Sequence, residues 1–216
     1  TELVELLRQQ ILLKVQKNPD EEVYNEMFIW YYLQKKEFTG AVIQAKALDR
    51  KKNESGKRLV EIGRVCQANK AYKEAVKAYQ YVIDMGDKSP YYHAAFQSKL
   101  EVQFEQVTTK RSYSRDDVAE VANDFEQALV DMGKSKRSLG IMIQLSKIYA
   151  FHLDEADKAL MLIDEALALP VNRQELALLK VLKGDVLVVS DNIWEASLLY
   201  MQVEKEFSED VLGHEA

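Results

Sequence analysis

The chain has 216 residues, 47% of them apolar and 30% charged, with a formal net charge of −6. That charge repels nucleic acid and anionic membrane surfaces, and no apolar run, Val186-Leu187-Val188-Val189 among them, approaches the roughly 18 residues a membrane span needs. Only 8 Gly and 3 Pro are present, too few for the turns of a β-sandwich of this size, so the class is all-α.

In chain order, hydrophobic spacing and breakers predict helices at 2–17, 20–34, 38–52, 56–69 and 71–85, then at 90–109, 115–132, 137–152, 155–168, 172–189 and 192–207. Asn18-Pro19-Asp20 and Leu169-Pro170 are breaks. Met85-Gly86 and Met132-Gly133 read as helix ends at which glycine supplies a left-handed residue. Ser89-Pro90 reads as an N-cap followed by proline in the first turn, and Ser114 with Asp117 as a capping box. Asp210 to Ala216 reads as the start of a further helix, which suggests a longer array. The chain opens on Thr1-Glu2 rather than on a basic leader.

The helices repeat. Phe38, Ala41, Ala45 and Leu48 have the same spacing as Tyr72, Ala75, Tyr79 and Val82, 34 residues on. Ala159, Ile163 and Ala166 repeat the shape, as do Ala196, Tyr200 and Val203. A small residue stands upstream of each of the last three groups: Gly63, Ser146 and Gly184. Small residues let antiparallel helices approach, and large ones three and four places away fill the space between them. Leu59, Ile62, Gly63, Ala75, Tyr79 and Val82 resemble the tetratricopeptide-repeat motif, and Gly184, Leu187, Ala196 and Tyr200 fit it too. Lys180 and Lys183 depart from it. The resemblance covers about residues 20 to 208. It implies a right-handed α-solenoid of about five antiparallel helix pairs, one domain over 1–216 with an irregular, elongated middle repeat at about 87–133.

Little in the sequence carries chemistry. Gly133-Lys134-Ser135 mimics the end of a phosphate-binding loop, but Ala128 stands where the first glycine belongs, and the segment follows a helix rather than a strand. His93, His152 and His214 lie on separate predicted helices without ligand spacing, and the acids after His152 suit the start of the next helix. Cys66 is alone, so no internal disulfide forms, and its place on the packed face suits a buried thiol. A lone thiol does not separate cytoplasm from periplasm. Basic groups at Arg50-Lys51-Lys52, Lys57-Arg58, Lys110-Arg111, Arg115, Lys134 and Lys136-Arg137 complement helix ends, or form a rim for an acidic partner. No cofactor or metal is expected, and no enzyme activity.

The expected function is a protein- or peptide-binding scaffold that uses the concave face of the array. Alternatives from other classes are a structural spacer or self-association module, and a helical small-ligand-binding domain. In the repeat family a Lys and Asn clamp on the first helices grips peptide carboxylates. The matching places here hold Val60 and Arg64, Ile143 and Lys147, and Val181 and Asp185, so the clamp is missing. The same register puts Trp30, Val60, Arg64, Ile143, Lys147 and Val181 in a groove of apolar character, suited to an extended segment or helix with apolar anchors.

Overall fold

A computed structural model describes residues 2–18 and 20–207, with no side-chain placement for residues 2–4 or Asp87. Pro19, and the expected helix start from Asp210 with its His214, lie outside the described residues. Among the described residues eleven α-helices follow one another and no strand occurs. They are α1 (Glu2–Lys17), α2 (Glu22–Gln34), α3 (Phe38–Lys52), α4 (Lys57–Ala68), α5 (Tyr72–Ile83) and α6 (Tyr92–Thr108). After them come α7 (Arg115–Met132), α8 (Leu139–His152), α9 (Ala156–Leu167), α10 (Arg173–Val189) and α11 (Ile193–Glu206). The bounds match those predicted to within a few residues. The helices cluster into two compact units, Thr1–Gln103 and Phe104–Ala216, dividing inside α6. Helices α6, α7 and α10 have 17, 18 and 17 residues, against 12 in α4, α5 and α9.

In the first unit α2 packs on α3 and α4 on α5, while α3 also touches α4 and α5. Helix α4 packs tightly on α5 at Gly63, where a Cβ would lie 2.5 Å from the Tyr79 ring. Tyr79 is fully buried, and its hydroxyl donates to Gln67 Oε1 at 3.3 Å on the opposite helix. Thirty-four residues earlier the sizes are exchanged: Ile29 stands for Gly63 and Ala45 for Tyr79, and both are buried. One small and one large residue keep the space filled either way, which a core of native density requires. Ala95 and Val102 of α6 complete this core.

Two polar devices tie the first unit together. Arg58 of α4 donates to Glu54 at 2.7 Å and reaches Glu22 and Glu26 of α2, each at 3.2 Å. These partners, the Glu54 hydrogen bond first, raise its guanidinium above an already high ordinary value. The buried Asp49 carboxylate accepts from the Gly56 N–H at 2.9 Å and from the Tyr81 hydroxyl at 3.1 Å, fixing the turn between α3 and α4. Ser89 serves this same region: its hydroxyl donates to the Ser55 carbonyl at 2.6 Å and accepts from the Tyr91 N–H. The start of α6 is therefore Tyr92, two residues later than the Ser89-Pro90 cap predicted, with a 3-10 turn at Gly86–Lys88 before it.

The second unit repeats the arrangement. Helix α8 packs on α9 and α10 on α11, with α7 against α8 and α9 against α10. A Cβ on Gly184 would lie 2.5 Å from the Tyr200 ring, and the Tyr200 hydroxyl donates to Asp185 Oδ1 at 2.7 Å. Ser146 and Ile163 fill the corresponding places of α8 and α9, both buried.

Candidate partner-binding groove

The second unit carries a trough of about 430 Å³ whose floor is α8 and whose walls are α7 and α9. Local sequence sets each wall. Ser114 caps α7, accepting from the Asp117 N–H at 3.1 Å while the Asp117 carboxylate accepts from the Ser114 N–H at 2.7 Å. The helix stops at Gly133, whose φ of 72° and ψ of 157° suit glycine almost alone. The fully buried Ser138 then donates to the Gly133 carbonyl at 2.7 Å, which locks the turn into α8. At the far end the Glu155 N–H donates to the Tyr149 carbonyl at 2.8 Å and starts α9.

Leu145 and Tyr149, one turn apart on α8, form the floor, beside Leu129 of α7 and Leu162 of α9. Val130 and Met161 stand at the edges, 76% and 68% exposed. Charges frame these apolar surfaces. Glu126 accepts from the Tyr149 hydroxyl, and Lys134 pairs with Glu165. Burial first, and then the Glu126 carboxylate, push the Tyr149 phenol well above its ordinary value. Lys158 lies 5.3 Å from the centre of the Tyr149 ring and pairs with Glu155 at 2.8 Å, a bond that raises its ammonium. Each rim charge thus already has a partner, and what the trough offers is apolar surface with polar edges, the anatomy of a docking site.

The first-helix residues expected to line a groove lie in different places. Trp30 of α2 is 55% exposed and Arg64 of α4 is exposed, both in the first unit. Val60 is only 4% exposed and belongs to the core beside Ile29 and Leu59. The correction has a plain cause: α4 touches both α3 and α5, so its buried surface is too broad to leave position 60 free. Ile143 and Lys147 of α8 are half-buried. Val181 is half-buried against Ala177, Val203 and Phe207, inside its own helix pair.

The trough itself was missed in the sequence, although a signal was present. Ala159-Leu160-Met161-Leu162-Ile163 is a run of five apolar residues, and a helix that turns about 100° per residue cannot hide five in succession on one face.

Reactive-looking side chains are structural. Cys66 is fully buried, and burial pushes its thiol to about 12, so no thiolate nucleophile is present near neutral pH. The ring of His152 meets Phe104 edge-on at 5.0 Å, and burial holds its imidazole below the ordinary value. The basic residues expected at helix ends are largely engaged: Lys51 with Asp20, Lys52 with Glu22, Lys136 with Glu175, and Arg115 with the Leu153 carbonyl. No helix among the described residues is long and apolar enough to cross a membrane.

No family model matches the sequence, and no curated protein does. Among solved structures, a Podosopora anserina chain described as a kinesin light chain with nearly identical TPR-like repeats superposes with a TM-score of 0.53 at 16% identity. The match covers 84% of this chain and 92% of that one. With α2 packed on α3, α4 on α5, α8 on α9 and α10 on α11, this chain has a tetratricopeptide-like helical repeat fold.

Proposed function

We propose that this chain is a non-catalytic scaffold that binds a protein or peptide, and that the partner docks in the trough between α7 and α9. The observation that carries the reading is the pairing of Val130 and Met161, each more than two-thirds exposed, over a floor of Leu129, Leu145 and Leu162. Leaving that much apolar surface in water is unfavourable by about 25 cal/mol per Å², and a partner's side chain relieves it. The buried Cys66 thiol and the partnered rim charges argue against covalent or acid–base chemistry. The fold supports the reading in general terms, since repeat arrays present extended surfaces that need no catalytic group. Trp30 and Arg64, exposed in the first unit, are proposed as a separate and secondary contact; Ile143, Lys147 and Val181 offer only part of their surface.

The test is selection from a displayed library of random peptides. Enriched peptides should carry apolar anchors and should bind the Val130→Lys/Met161→Lys double variant at least about tenfold more weakly, while circular dichroism shows its helices intact. Trp30→Ala and Arg64→Ala should change affinity less. No enrichment, or peptides that bind the double variant as well as the parent, would remove the trough from the account.

A further inference from the structure

The 6 methionines differ widely in access to solvent, and that difference decides which of them can react. Met142 of α8 is fully buried, and Met85 and Met132 are partly covered. Met27 and Met201 are 42% and 55% exposed, and Met161 of α9 is the most open at 68%. A thioether sulfur is soft and polarizable, and a hydroperoxide oxidises it in one two-electron step. The sulfur lone pair attacks the outer oxygen, an S–O bond forms as the O–O bond breaks, and the proton of the transferred oxygen passes to the departing one. The thioether is oxidised to a sulfoxide, and hydrogen peroxide is reduced to water. A thiolate would be a faster target, but Cys66 is fully buried and burial keeps its thiol protonated, so it does not compete.

The place of Met161 gives that reaction a consequence. Its side chain forms the α9 edge of the trough, as Val130 forms the α7 edge. Lys158, three residues before it, and Glu165, four after, lie on the same side of α9 and also line the trough. Between those two charges the thioether is the apolar part of the edge, next to Leu162. A sulfoxide there replaces apolar surface by a strongly polar S–O group that seeks a hydrogen-bond donor. In the free protein water supplies the donor, so the fold is undisturbed. Under an apolar partner the donor is lost, and burying the unpaired oxygen opposes docking. The same change at Met142 would instead disrupt the packed core.

We infer that Met161 is an oxidation site for hydroperoxides, and that its sulfoxide form releases an apolar partner from the trough until reduction restores the thioether. The return step is that of a thiol-dependent sulfoxide reductase: two thiols are oxidised to a disulfide, and the sulfoxide oxygen leaves as water. The release rests on the trough being the docking site, whereas the oxidation rests on exposure and sulfur chemistry alone.

The test treats the whole chain with graded hydrogen peroxide and follows each methionine by peptide mass mapping. Met161 should oxidise first, at least about tenfold faster than Met142, and far-UV circular dichroism should be unchanged at the dose that oxidises it. Once the peroxide is removed, this protein should bind the library-selected peptide about tenfold more weakly than the untreated parent. Met161→Leu, treated alike, should keep its affinity, and a methionine sulfoxide reductase should restore that of the parent. Met161 reacting after Met27 or Met201 overturns the assignment of the site. Binding unchanged by oxidation, or lost equally in Met161→Leu, overturns the release. An empty selection, or a peptide indifferent to Val130→Lys/Met161→Lys, removes the trough as docking site and the release with it, while the order of oxidation still decides whether Met161 is the reactive site.

Discussion

Replacing Gly63 by Ala sets two well-defined effects against each other. Helix propensity alone predicts a gain, because alanine in a helix interior is favoured over glycine by about 1 kcal/mol. Packing predicts a loss. The new Cβ would lie 2.5, 2.7 and 3.0 Å from three atoms of the Tyr79 ring, where carbon atoms prefer about 3.5–4.0 Å. The ring has nowhere to go: Tyr79 is fully buried, and its hydroxyl is held by Gln67. Either the ring leaves its rotamer or α4 moves away from α5 by about 1 Å, and overpacking of that kind costs about 1–3 kcal/mol. Because the ring is held, the cost falls in the upper half of that range, and about 2–3 less the propensity gain of about 1 leaves a net loss of about 1–2 kcal/mol, read from urea denaturation followed by far-UV circular dichroism. The sign should reverse once the ring is gone: in a Tyr79→Leu background, Gly63→Ala should stabilise by up to about 1 kcal/mol, since only propensity remains. A Gly63→Ala protein as stable as the parent, or an equal loss in both backgrounds, would refute the size-matching account of the helix pairs.

Stability should fall in alkali. Burial lifts both the Cys66 thiol and the Tyr79 phenol to about 12 in the fold, whereas the unfolded chain releases these protons near about 8.5 and 10. Protons are thus held more tightly in the native state, so stability is fully present below about pH 8 and declines from there toward about pH 12; Cys66→Ala should delay the onset, and a flat profile to pH 11 would contradict the burial of these groups. Arg58→Ala should cost about 1–2 kcal/mol at low salt and less at high salt, and Arg58→Lys should recover under half, because one ammonium cannot fork to Glu22, Glu26 and Glu54; thermal melts measure this. Asp49→Asn should cost about 2 kcal/mol by turning one acceptor of the buried pair into a donor, and should let the Tyr81 phenol ionise at lower pH, though burial, its larger cause of elevation, remains.

Helix positions were legible because breakers and spacing act locally. The capping box at Ser114, the stop at Gly133 and the 34-residue repeat all follow from residues within a turn or two of where they act. The small-to-large matching was half legible. Gly63 with Tyr79 and Gly184 with Tyr200 stood out, whereas the close approach of Gly40 to the Tyr32 ring, 2.7 Å from a Cβ position, uses a register that the other pairs do not share. The groove was not legible, for a geometric reason. Whether Val60 faces solvent depends on how many neighbours α4 has, and its two contacts with α3 and α5 are decided by the stacking of pairs rather than by α4 itself. Met161 was hidden in an apolar run that reads equally as core, although the run is longer than one buried face can absorb.

Methyl NMR tests most directly whether the trough of the second unit is the docking site. The chain has 6 methionines, of which Met161 stands at the trough and Met201 is exposed on α11. With methionine methyl groups labelled, the selected peptide should shift and broaden the Met161 signal in proportion to occupancy. It should leave Met201 in place. A peptide that binds with Met161 unmoved, and perturbs other methionines instead, would contradict the assignment of the trough as the docking site.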